Sequence, residues 1–280
     1  MTRRQFLFAL GAGAGLSAAT GWYAIAVEPR RLTIEHVDLA LPDFPAPATV
    51  VQISDLHMRH PNAYWDRVRR EVNAIDADFL VVTGDLVEDY ALLEPCLDWL
   101  AGLRCQNPPY FVAGNWEHLS GTLKRGLDYR LTQIGFRVLD NTGAAVPWRG
   151  GAFYMAGVND WRSGAAHFDL ALRDQPPGMC TILLTHEPIV ADALTVSKYR
   201  ADLVLAGHTH GGQIRLPLLG ALATPNGSGR YEQGLYRFAR TVMYVNRGLG
   251  VASIHARFLC PPEITRFTLR GRANLDRITG

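Results

Sequence analysis

Lysine is nearly absent from this 280-residue chain: Lys124 and Lys198 are the only two among 28 basic residues, and the rest are arginines. Arginine suits bidentate phosphate binding, yet a bias spread over the whole chain reads as compositional. No block of one charge sign occurs, and 28 basic against 26 acidic residues leave a net charge of +2. The electrostatic footprint of a nucleic-acid-binding protein is therefore missing. Cysteine is scarce too. Cys96, Cys105, Cys180 and Cys260 show no Cys-x-x-Cys spacing, which argues against a thiolate zinc site. Three disulfide pairings would be open to them in an exported chain, but nothing forces one, and buried free thiols are expected. There are no repeats and no low-complexity linkers.

What is present is ordinary for a globular protein: 48% hydrophobic and 19% charged residues, enough to bury a sizeable core. The N-terminus differs in character. Thr2-Arg3-Arg4-Gln5-Phe6-Leu7, followed by an apolar, glycine- and alanine-rich run to Val27, resembles a twin-arginine export signal. Ala24-Ile25-Ala26 offers a cleavage site, while the run is also about the ~20 residues that a membrane anchor needs, with Trp22 and Tyr23 at its outer interface. Either reading sets 1–27 apart from a domain over 28–280 and places that domain outside the cytoplasm, in the periplasm or on the membrane.

From residue 49 the pattern repeats strand, polar turn, helix. Apolar runs at 50–53, 79–82 and 110–112 precede helical spacing over 64–75, 91–100 and 123–134. An alternating edge strand over 32–39 comes before them, joined through the proline-rich 41–47. Later strands are expected at 153–158, 181–184, 203–205, 242–245 and 264–269, with a helix over 189–196. The fold class expected is α/β, two sheets packed as a sandwich with helices outside, since the C-terminal half turns strand-rich without a linker.

Each buried strand ends in a residue that can hold a metal. Asp55 and His57 follow the first, Asp85 the second, Asn115 the third, His186 a later one, and His208 with His210 close the set within Gly207-His208-Thr209-His210-Gly211-Gly212-Gln213. Strand carboxyl ends are where open α/β sheets place their chemistry. A lone Asp after Gly is usually a turn residue. Two Asp, one Asn and four His converging from five strand ends are too many for one ion. Two divalent cations about ~3.5–4 Å apart, bridged by a carboxylate and a hydroxide, would use them all.

These motifs, Asp55-x-His57, Gly84-Asp85, Gly114-Asn115, His186 and Gly207-His208-x-His210, resemble in order those of the calcineurin-like metallophosphoesterase superfamily. Thr209, Gly211-Gly212-Gln213 and Asn246-Arg247-Gly248-Leu249-Gly250 look like its exported bacterial branch, which includes phosphodiesterases and UDP-2,3-diacylglucosamine hydrolases. The resemblance implies that Asp55, His57 and His210 hold one metal, that Asn115, His186 and His208 hold the other, and that Asp85 bridges them. It implies hydrolysis of a phosphodiester or pyrophosphate by a metal-bridging hydroxide, with Mn or Zn favoured by the imidazole count and Fe or Mg also compatible. A phosphomonoesterase or a catalytically silent metal-binding protein on the same scaffold are the alternatives.

One position departs from the family. A histidine usually follows the asparagine and assists the departing oxygen; here Trp116 stands there, and an indole can donate only a hydrogen bond. Either His118 folds back to serve as the acid, or the leaving group is acidic enough to need none. Catalytic candidates are therefore Asn115, itself among the implied ligands, His118 and Arg247, with Arg215 a further candidate for phosphate contact. Asn159-Asp160 is expected to be a turn. The apolar run over 214–222 is either sheet core or, if exposed, a lipid-facing rim suited to a glycolipid substrate at a membrane surface.

Overall fold

A computed structural model describes residues 18–272. Two six-stranded sheets face each other. In the first, β1 (Thr33–Leu41), β2 (Ala48–Ile53), β3 (Phe79–Val82), β4 (Tyr110–Phe111) and β5 (Arg137–Val138) are joined by Glu263–Gly271, which lies between β1 and β2 and pairs parallel with β1 over nine residue pairs and antiparallel with β2 over five.

 β2 to β5 run parallel to one another. In the second sheet β6 (Thr142–Trp148), β7 (Gly151–Gly157), β8 (Thr181–Leu184) and β9 (Leu203–Ala206) are followed outward by Val242–Val245 and Gly234–Arg237. Its central strands β7, β8 and β9 are parallel, so their carboxyl ends emerge together.

The two-residue period of a strand explains the layers. Val50, Phe79, Val81 and Phe267 of the first sheet meet Phe153, Met155, Ile182 and Leu203 of the second in the central core. The alternate residues Val51, Ile53, Leu80 and Val82 face outward, beneath α1 (Ala63–Ala74), α2 (Leu93–Ala101) and a helix over Leu127–Gln133. Leu183 and Val204 cover the opposite face beneath Phe168–Leu172 and Val190–Thr195. The fold is thus α/β, a two-sheet sandwich flanked by helices.

Helix boundaries follow local chemistry. Asn62 caps α1 by accepting from the Tyr64 and Trp65 amides. The single helix expected over 123–134 is broken: Leu123–Arg125 is a 3-10 turn, and Gly126 takes a left-handed conformation before the helix proper. The expected edge strand at 32–39 is β1, at the edge of its sheet. All four cysteines are free. The Arg3-Arg4 pair and most of the apolar run lie outside the described residues. Among the described residues no helix is long and apolar enough to cross a membrane.

Candidate metal centre

The loops after β2, β3, β4, β8 and β9 meet at one end of the sandwich. They bring the seven sequence-predicted residues together, all of them buried. Five of these, Asp55, His57, Asp85, His208 and His210, have φ between 41° and 71°, a region that side chains with a Cβ enter at a cost. Close packing holds them there. A Cβ on Gly207 would lie 1.9 Å from Ser54 Oγ, and one on Gly114 would lie 2.5 Å from Asp85 Oδ1, so only glycine lets these loops approach.

Two trios result, Asp55 with His57 and His210, and Asp85 with His186 and His208, each with ligand atoms within 4.8 Å of one another. Asp85 Oδ2 lies 3.5 Å from His57 Nε2 and 3.2 Å from His186 Nε2, between the trios. Its other oxygen accepts from the Trp116 amide at 2.8 Å. Asn115 Oδ1 is buried without a hydrogen-bond partner.

The outer nitrogens of two imidazoles are hydrogen-bonded to backbone carbonyls, and that of a third lies near a carboxylate. His186 Nδ1 lies 2.7 Å from the Thr83 carbonyl, His208 Nε2 lies 2.8 Å from the Asn226 carbonyl, and His57 Nδ1 lies 3.3 Å from Glu88 Oε1. Carbonyls accept, so His186 and His208 donate outward and direct the second ring nitrogen inward, where it could hold a cation, while Glu88 stands beside His57 as a charge partner. His208 Nδ1 and His186 Nε2 are 3.1 Å apart, as are His210 Nε2 and His57 Nε2. Two acceptors at that separation need a proton or a cation near them.

The electrostatics agree. Burial opposes charge on His186, but Asp85 and Asp55 outweigh it and hold its pKa well above the usual range. Burial likewise opposes charge on His57, where Asp85 and Glu88 prevail and raise it to about 9. His208 is lowered to about 3 by burial and by His186, and His210 is lowered well below its usual value by burial and by His57. Without a cation the acids thus favour a proton on one imidazole of each trio, a proton that a bound metal would have to displace. Burial opposes ionisation of Asp85, yet the neighbouring imidazoles keep its carboxyl well below the carboxylate range. A donor set of carboxylates, a carboxamide oxygen and imidazoles, with an orphaned Asn115 oxygen, fits two divalent cations of borderline hardness.

The other candidates are placed differently. His118 Nε2 lies 2.7 Å from Asn159 Oδ1, and Asn159 in turn donates to Asp140. Arg247, expected as a phosphate contact, has its guanidinium on Glu35 and Glu263, which commits its charge to those carboxylates. Arg215 pairs with Glu232 at 2.9 Å. Trp116 sets its ring edge-on to His57, with centroids 5.9 Å apart. Asn159-Asp160 does form a turn, Asp160 accepting from the Arg162 and Ser163 amides.

Sequence reasoning missed Glu117. Its carboxylate accepts from the amides of Asp85, Leu86 and Gly114 at 2.9, 2.7 and 2.7 Å, tying two of the ligand loops together. The signal was available: an acid at the third position of a helix that Gly114 opens. Arg257 was also missed, and no local pattern announces it. It is fully buried and donates to the carbonyls of Arg247, Gly248, Gly250 and Cys260, fixing the loop whose Leu249 and Gly250 amides bond the Ser54 and Asp55 carbonyls.

Residues 48–212 match the calcineurin-like phosphoesterase family. The chain is 34% identical to the "Uncharacterized metallophosphoesterase YkuE" of Bacillus subtilis (strain 168), over 96% of this chain and 98% of that protein. It is 28% identical to "Phosphodiesterase YaeI" of Escherichia coli (strain K12), over 96% and 99% respectively. It is also 28% identical to the "Transmembrane protein with metallophosphoesterase domain" of Bos taurus, covering 90% of this chain but 60% of that protein.

Proposed function

We propose that this chain, which belongs to the calcineurin-like phosphoesterase family and is a phosphoester hydrolase, holds two divalent cations and cleaves a phosphodiester or pyrophosphate bond in a lipid-linked substrate such as UDP-2,3-diacylglucosamine. The observation that carries the two-metal reading is that each trio brings two inward imidazole nitrogens to 3.1 Å of one another, with Asp85 Oδ2 between the trios. The ligands would be Asp55, His57 and His210 for one ion and Asn115, His186 and His208 for the other, with Asp85 between. When bound, such ions neutralise phosphoryl oxygens and make water a competent nucleophile near neutral pH.

The protein's own groups orient and exclude. Thr83 and Asn226 set the tautomers of His186 and His208, and Trp116 packs against His57 where the family usually has a histidine. No imidazole follows Asn115, and His118 bonds Asn159 instead. A leaving group of low pKa, as in a pyrophosphate, needs no such acid, and this favours a nucleotide-linked substrate over a simple monoester. Export by the twin-arginine route and a periplasmic site of action are part of the same proposal, resting on Arg3-Arg4 and the apolar run that follows.

Protein loaded with Mn or Zn would be offered bis-p-nitrophenyl phosphate, p-nitrophenyl phosphate and UDP-2,3-diacylglucosamine. Turnover of the diester and the pyrophosphate above the monoester is expected. Two bound ions with no turnover of any of them would overturn the enzymatic reading.

A further inference from the structure

Three segments that the metal centre does not use crowd around its mouth. The first is a small hairpin, Arg215–Leu216 paired with Gly220–Ala221, whose connection carries Leu218, fully exposed, and Leu219, 77% exposed. The second is the segment 251–259, bound to the first by the Phe258 amide on the Gln213 carbonyl and the Arg215 amide on the Phe258 carbonyl. It exposes Ile254 and Leu259. Between the two lies an apolar pocket of about 330 Å³ that reaches His210. That volume falls within the range of small-ligand sites.

The third segment is the start of the described chain. The Arg257 amide donates to the Ala24 carbonyl at 2.8 Å, and buried Glu28 accepts from the Cys260 amide, so residues 24–28 are built into the same rim. Exposed Ile25 lines a second pocket together with His57, Arg59 and His255. Trp22 is also exposed, and Arg30, which lines the same pocket, and Arg31 follow.

Isolated surface leucines need no explanation, but leucines on neighbouring segments around one opening do. The geometry points to a lipid bilayer as what covers this face, with the hairpin and 251–259 seated at the interface and the pocket at His210 receiving a hydrocarbon chain. Three observations choose a bilayer over a protein partner. In sequence, the apolar stretch Phe6-Leu7-Phe8-Ala9-Leu10 and a glycine-alanine run immediately precede the segment 24–28 that is built into this rim. A tryptophan and a tyrosine stand where that run ends, as at membrane interfaces. Exposed Arg30, Arg31 and Arg59 add the positive charge that anionic lipids attract, although Arg59 also pairs with Glu88 at 3.2 Å. This inference rests on the lipid-linked reading above and deepens it: the tail enters at His210, and the anionic head lies across the trios toward Arg59 and His255.

The test uses the full chain with vesicles of phosphatidylglycerol and phosphatidylcholine. An environment-sensitive nitrobenzoxadiazole is attached at Leu218→Cys or at Val196→Cys, each in a Cys105→Ser background. Val196 ends the helix that leads from the site end of β8 back to the start of β9, so it marks the opposite end of the molecule. A blue shift and a several-fold rise in emission on adding vesicles are expected at 218 and not at 196. An aqueous signal at 218, or equal responses at both positions, would overturn the inference. In addition, the Leu218→Asp/Leu219→Asp double variant should lower the vesicle-bound signal of a probe at Ile254→Cys at least tenfold. Failure to hydrolyse any phosphoester would remove the enzymatic reading, while the fluorescence would still decide whether this face meets lipid.

Discussion

The Glu117 carboxylate accepts a hydrogen bond from the backbone amide of Asp85, so a side chain of one strand-end loop holds the backbone of the next. The same carboxylate binds the Leu86 and Gly114 amides, and burial together with the Asp85 charge pushes its pKa up. Three donors on one buried acid make it the joint between the loops that carry Asp85 and Asn115. In Glu117→Gln a carboxamide NH₂ would face an amide N–H, at a cost of about 1–3 kcal/mol. Thermal unfolding should show a fall in Tm on the order of 5 °C, and plasma emission spectrometry should show fewer metal ions per chain.

Asp85 lies between the two trios, whereas Asp55 sits with one of them at 3.3 Å from His210 Nε2. Asp85→Ala is expected to lose both ions, and Asp55→Ala to keep the second more tightly than the first. Equilibrium dialysis against Mn or Zn measures both outcomes.

The pH dependence of the metal-free protein follows from His57, raised from 6.5 to about 9 with burial overcome by Asp85 and Glu88. A raised imidazole contributes stability that is fully present below the unfolded value and is lost as pH rises through the folded one. The metal-stripped protein should therefore lose Tm between about pH 6.5 and 9. Metal binding needs deprotonated ligands and strengthens over the same range. The gap in Tm between loaded and stripped protein should widen with pH, as differential scanning fluorimetry can measure.

Trp116 occupies the place of the usual family histidine, so no imidazole directly follows Asn115. A positioned acid is worth roughly 10²–10⁴-fold for a poor leaving group. Trp116→His should raise turnover of alkyl phosphodiesters relative to bis-p-nitrophenyl phosphate, whose leaving group needs little assistance. An unchanged ratio would show that the indole's position is not what limits the substrate range.

The strands, their layering and the seven converging polar residues were legible in the sequence because each rests on local information. An apolar run of four marks a buried strand, and a polar residue after it marks the strand's end. The break at Gly126 and the Glu117 cap had local signals of the same kind. His118 and Arg247 show the limit: both are polar residues beside motifs, and only their neighbours, Asn159 for one and Glu35 with Glu263 for the other, decide what they do. The apolar run at 214–222 could have been core or surface on composition alone. Tertiary structure put Leu218 in solvent because the hairpin is bound to the rim through 251–259 rather than to either sheet. Residue types and their order determined which chemistry could be assembled; packing between segments distant in sequence decided which groups reach the centre, which are tied up elsewhere, and which face outward.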